Sequence, residues 1–306
     1  MHRGTAHLTL YQHIFSLLDQ PMAVIRVIRD SATILEANQA FSQLTGYTTE
    51  HLRGRPVNGI IEQYSANSAS RNYIRETFLH TKRKRRKPIQ IEHKAIQSDC
   101  GEEGTLALAL IEDLSAKRWI EEQYERNKVL ISGIVDSTFH IRFLRDFYAP
   151  MLFVPDQRLE DENFLQFISE TEYKRINEAL EASGKFKKMN DIKVRTSKLS
   201  GVELEVTLTF MPIFDGFGKI KEYAFVIWDL LPVNDTIDSA MRLKIWMAKR
   251  DMSANQLSAA THISLQTISK LRNGKIAMPQ RLTAELIASE LKVEVSEIWP
   301  EVRKGR

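Results

Sequence analysis

The sequence predicts a multidomain α+β protein: two α/β units in tandem, then an all-α unit at the C-terminal end. Three observations in its 306 residues carry that expectation. The block from Met252 to Lys275 has the layout of two short helices joined by a tight turn. Upstream, two stretches alternate apolar and polar residues as half-buried strands do. Their closing pairs, Asp113-Leu114 and Asp229-Leu230, stand 116 residues apart, the spacing of a repeated unit. The charge is also uneven. The chain is +4 overall, yet from Asp238 onward 12 Lys and Arg face 7 Asp and Glu, so the excess sits on the last unit. A basic unit beside near-neutral neighbours is the footprint of a polyanionic partner.

In chain order, residues 1–19 form an amphipathic helix with Leu10, Ile14, Leu17 and Leu18 on it. The first α/β unit spans 20–116. Ala23–Ile28 and Thr33–Ala37 are β-rich runs separated by a turn at Arg29-Asp30-Ser31. Phe41 and Leu44 share one face of the following helix, and Gly46 closes it. Ile89–Ile96 and part of Thr105–Ile111 alternate again, and Asp113-Leu114-Ser115 starts an exit helix. The charge run Lys82–Lys87 reads as a solvated loop before the Pro88-Ile89 strand; contact with DNA backbone or an acidic partner is its functional alternative. The set Asn38-Gln39-Ala40-Phe41, Thr45-Gly46-Tyr47 and Asp113-Leu114-Ser115 resembles the PAS sensory domain over nearly 100 residues. The likeness weakens around Thr81–Lys87.

Residues 117–136 contain no Pro and one Gly. Ile120, Tyr124, Asn127, Ile131 and Ile134 recur at spacings of 4 and 3, the stripe of a connecting helix. Such a stripe pairs two protomers, with Asn127 setting register, or packs on its own sheet. The second α/β unit spans 137–232. Its expected strands are His140–Phe147, Met151–Val154, Phe186–Thr196, Val202–Phe214 and Lys219–Leu230, with a helix over Thr171–Ala182. Phe210–Gly216 and Tyr223–Leu230 resemble the closing hairpin of a PAS domain, although the Asn-x-Ala-Phe signature is missing. Residues 233–238 are a linker.

In the last unit, 239–306, Leu257 and Ala260 are expected to bury one face of the first short helix, and Ile268 and Leu271 one face of the second. Ser264 stands at an N-cap position and Gly274 where a left-handed residue ends a helix. The outward face carries Gln266, Ser269, Lys270 and Asn273, without an acid. This block resembles the Cro and lambda-repressor type of helix-turn-helix over 24 positions without a gap, 252 to 275. Leu243 and Trp246 match that family's apolar first helix, Leu282–Leu291 its fourth and Val295–Pro300 its closing one. Met247 departs from an arginine common in relatives, and His262 occupies a turn position where glycine is usual.

The full expectation is therefore two tandem PAS-like α/β sensor domains followed by an all-α, five-helix, lambda-repressor-like DNA-binding domain. The resemblance implies double-stranded DNA with a palindromic operator as partner, read by a homodimer. Gln266, Lys270 and Ser269 would read base edges, Leu265 a thymine methyl, and Ser253, Asn273 and Lys275 would hold phosphates. A one-component transcription regulator follows, whose PAS domains sense a small ligand or a partner. The rival is a PAS-mediated dimerisation scaffold that binds another regulator.

Other function classes find little support. A single cysteine, Cys100, precludes an internal disulfide and fits a reducing compartment. No run approaches the ~18 apolar residues of a membrane span, and the N-terminus lacks a signal-peptide core, so a cytoplasmic location without membrane contact is expected. No Gly-rich phosphate loop, His-Glu-x-x-His or Gly-x-Ser-x-Gly pattern suggests an enzyme or a metal site. The cofactor is unknown and none is required, although a PAS cavity is able to take a small ligand. The stretch after Tyr47 has no cysteine for flavin photochemistry. His80, His93 and His140 are the residues of the right type for a haem ligand, and they read as surface or strand filler.

Overall fold

The computed structural model describes residues 3–65, 73–96, 104–126, 128–146, 161–186, 189–197, 203–233 and 237–301. Contacts divide the chain into two compact units, Met1–Glu122 with Pro212–Ala224, and Gln123–Met211 with Phe225–Arg306.

The first unit opens with α1 (Arg3–Leu17), then β1 (Met22–Ile28), β2 (Ser31–Ala37), α2 (Gln39–Thr45) and α3 (Thr49–Leu52). Next come β3 (Tyr73–His80), β4 (Arg86–Ile96), β5 (Thr105–Asp113) and α4 (Ser115–Arg126). The strands form one antiparallel sheet in the order β2-β1-β5-β4-β3. Alternation puts Ile89, Ile91 and His93 of β4 on the covered face, beside Ile25, Ile34, Phe41 and Ile111.

Asn38 locks the junction between β2 and α2. Its Oδ1 accepts from the amides of Phe41 (2.9 Å) and Met22 (3.0 Å). Its Nδ2 donates to the carbonyls of Leu18 (3.1 Å) and Gln20 (2.7 Å), so this buried amide is fully used. Gly46 caps α2 in the left-handed region (φ 77°), and the Gly216 carbonyl lies 2.3 Å from where a Cβ would stand. Glycine is required there twice over.

Strand β3 was not expected from the sequence. Its residue types run against its exposure, with apolar Ile74 60% exposed and charged Arg75 half-buried, which hides the period of two. The basic run is also more structured than a solvated loop. Lys87 enters β4, is buried, and sets its Nζ 2.6 Å from the buried Asp113 carboxylate. Asp113 Oδ1 also accepts from the Ser115 amide (3.0 Å) and hydroxyl (2.5 Å). Burial opposes ionisation of Asp113, but the Lys87 charge and these hydrogen bonds outweigh it and hold the carboxyl below its ordinary range. Arg86 is taken as well, by Glu62 (2.7 Å).

The chain continues with β6 (Ile131–Asp136), β7 (Ile141–Asp146), α5 (Tyr173–Phe186), β8 (Asn190–Arg195), β9 (Leu204–Phe214) and β10 (Ile220–Pro232). Their sheet order, β7-β6-β10-β9-β8, repeats that of the first sheet strand for strand. The expected connecting helix over 117–136 is corrected here. The helix α4 stops at Arg126, and Ile131 and Ile134 lie in β6, where five consecutive residues are buried. A strand covered on both faces loses its alternation, and its isoleucines imitate a helical stripe. Ile120 packs inside its own chain, 3% exposed. Asn127 and the Met151–Val154 strand lie outside the described residues. Phe186, expected to open a strand, instead ends α5.

The C-terminal part of the second unit is helical: α6 (Ser239–Lys249), α7 (Ala254–Thr261), α8 (Leu265–Arg272), α9 (Arg281–Leu291) and α10 (Val295–Ile298). Leu243, Met247, Leu257, Ile268, Leu271, Ile287, Leu291 and Trp299 are its core. Met247 fills that core rather than the surface. Ala260 is corrected: it is exposed, and Thr261, one turn after Leu257, takes the buried place.

Candidate nucleic-acid interface

The turn between α7 and α8 is fixed by caps at both sides. Ser253 Oγ accepts from the Gln256 amide (3.2 Å) while Gln256 Oε1 accepts from the Ser253 amide (2.8 Å), a reciprocal capping box that starts α7. His262 ends α7 in the left-handed region, φ 57°. The turn therefore keeps the geometry that glycine gives elsewhere, with a side chain that tolerates it. Ser264 Oγ then accepts from the Thr267 amide (3.2 Å) to start α8.

The other end of α8 is closed by two backbone bonds. The Gly274 amide donates to the Leu271 carbonyl (3.2 Å) and the Lys275 amide to that of Lys270 (2.9 Å), with Gly274 at φ 69°. This pair of bonds is a Schellman motif. It turns the chain so that Lys275 leaves the helix end exposed, next to Asn273.

Between these caps α8 has two faces. Ile268 and Leu271 are 0% and 1% exposed, anchoring one side in the core. Leu265, Gln266, Ser269, Lys270 and Asn273 are all exposed and fall on one stripe by helical spacing. Asn273 Nδ2 approaches Ser269 Oγ at 3.4 Å, a long contact easily exchanged for another acceptor. Ser253 is exposed at the head of α7, and its hydroxyl proton is still available to an acceptor. Each of the seven sequence-selected residues is exposed. From Met252 to Ala284 the chain has no Asp or Glu, while Lys270, Arg272, Lys275 and Arg281 are cationic. An acid-free, amide- and hydroxyl-bearing helix face beside cations suits a phosphate backbone and the base edges behind it.

Within the same unit, the Lys249 ammonium at the end of α6 lies 2.7 Å from Asp229 of β10. Lys128 donates to the Lys249 carbonyl. Nothing in the sequence pointed to these contacts, because the partners are separated by 20 and 121 residues. Among the described residues no group of three or more His, Cys, Asp or Glu is placed to hold a metal, and no helix is long and apolar enough to cross a membrane.

Comparison with known proteins agrees with this geometry. Residues 242–299 match the model of the Cro/C1-type HTH DNA-binding domain, and residues 9–79 match that of the PAS domain. The chain carries a PAS domain and a Cro/C1-type helix-turn-helix domain. No curated protein matches. Among solved structures, a PAS domain from a two-component sensor histidine kinase is 11% identical, at TM-score 0.32, covering 36% of this chain and 99% of that one. The PAS domain of an HTR-like protein from Haloarcula marismortui is 17% identical, at TM-score 0.31, covering 36% and 94%. A PAS domain from Colwellia psychrerythraea is also 17% identical, at TM-score 0.31, covering 36% and 98%.

Proposed function

We propose that the protein is a cytoplasmic, one-component transcription regulator, in which PAS-type sensing adjusts operator binding by a helix-turn-helix dimer. The observation that carries this reading is the exposed, acid-free face of α8 held between two caps. The second sheet is read as a further PAS-type unit because its strand order repeats that of the first. The C-terminal helices are read as a lambda-repressor-like five-helix domain, with α8 entering the major groove. Gln266, Ser269 and Lys270 then address base edges, Leu265 a thymine methyl, and Ser253, Asn273 and Lys275 phosphates.

A dimer follows from the readout. One short helix covers few base pairs, and two related by a two-fold axis need half-sites about 10 bp apart, or multiples of that. The surface that suits pairing is α1, whose Leu10, Ile14 and Leu17 are 53%, 47% and 79% exposed at spacings of 4 and 3. Selection from a random pool of duplex DNA tests the reading. It should enrich a palindromic site whose affinity falls steeply with salt. Recovery of no sequence above background would favour the scaffold reading, in which the helices meet another protein.

A further inference from the structure

The covered face of the first sheet contains polar atoms that no group among the described residues satisfies. His93 is 0% exposed and Tyr64 4%, and neither ring nitrogen of His93 nor the Tyr64 hydroxyl has a hydrogen-bond partner. The Tyr73 hydroxyl and Arg75 Nε are likewise buried and unpartnered. These groups form one cluster. Tyr73 stacks on His93 at 4.6 Å and 11°, and Tyr64 tilts against it at 5.2 Å. A buried donor or acceptor without a partner costs about 1–3 kcal/mol, so several together call for an occupant.

Small side chains adjoin the cluster along the sheet. Across the sheet the row that begins Tyr73, His93 continues as Ala109, Ala23 and Ala37, the smallest side chains with a Cβ. Burial, then the charge of Arg75, pushes His93 down to about 4, so at neutral pH its ring is uncharged and offers one donor and one acceptor. The hydroxyls add the same pair of capacities, and Arg75 Nε adds a donor. We propose that this face of the first sheet binds a small, uncharged, hydroxylated aromatic ring, stacked near His93 and hydrogen-bonded by Tyr64, Tyr73 and Arg75. The rings supply a flat wall, and a ligand hydroxyl both donates to and accepts from the cluster. Charged ligands are disfavoured by burial. The proposal deepens the sensor reading and rests on it, since the ligand is the signal.

Phenol is the probe, added to the full chain in the absence of DNA, with calorimetry and thermal unfolding as readouts. The result therefore stands apart from any failure of the DNA-reading helix. Phenol should bind and raise the unfolding midpoint. Tyr64→Phe, which keeps the ring and removes one hydroxyl, should weaken phenol about fivefold, the equivalent of one neutral hydrogen bond. The same variant without ligand should be at least as stable as the parent, because an unmet hydroxyl has gone. Absence of phenol binding, benzene binding as tightly as phenol, or a lower ligand-free midpoint in Tyr64→Phe would each overturn the proposal. The last result would mean that ordered water or a protein group already satisfies the hydroxyl.

Discussion

At the scale of single residues, position relative to the caps of α8 decides what each side chain can do. Lys275 is exposed just past the Schellman turn, and the proposed role for it is to hold phosphate rather than base edges. Lys275→Ala should weaken binding to all DNA sequences alike and reduce the log–log salt slope by about 1 per lost contact in each protomer. Titrations at several salt concentrations check this; an unchanged slope removes Lys275 from the interface. His93 makes a second residue-level claim, on stability. Its ring stays neutral in the folded chain down to about pH 4, whereas the unfolded ring takes a proton near its ordinary 6.5. The shift is downward, so its stabilising contribution is complete above pH 6.5 and is lost as pH falls toward 4. Asp113 acts lower, below its ordinary 3.8. Denaturant unfolding of parent and His93→Phe between pH 7 and 4 should therefore diverge in slope, and parallel curves would contradict the buried neutral ring.

At the scale of elements, α1 presents an apolar row, and β6 shows why its rival lost. Leu10→Gln with Leu17→Gln should convert a dimer to a folded monomer by light scattering. Operator affinity should fall by the lost avidity, about 10²–10⁴. A variant that stays dimeric would place pairing elsewhere. The reader was the most legible part of the sequence, because its caps are local: Ser264, Gly274 and the Ile268/Leu271 pair act within a few residues of one another. The Asn38 and Gly46 signatures were legible for the same reason. What failed depends on distance or on burial from two sides. Ile131 and Ile134 kept a helical spacing inside a fully buried strand. Lys87 looked solvated until Asp113, on the far side of a hairpin, neutralised it. His93 read as filler because a missing hydrogen-bond partner leaves no mark in a sequence. The seven candidate DNA contacts are all exposed.

At the scale of the whole molecule, the Asp229–Lys249 contact joins the sheet of the second unit to its helical part. Asp229→Asn removes the ion pair without touching α8. DNA affinity should then change by less than about fivefold, since a partly exposed pair is worth under about 1 kcal/mol. Amide hydrogen exchange in the last turn of α6 should rise, and unchanged exchange there would leave the two parts without this link. The central claim, that α8 reads bases, is met most directly by Gln266→Ala. Its affinity should be measured on the site selected from random DNA and on unrelated duplex at the same salt. Glutamine pairs bidentately with adenine in the major groove, so the account predicts a loss of about 1–3 kcal/mol on the selected site and little change on the other. Equal losses on both, or none on either, would contradict it.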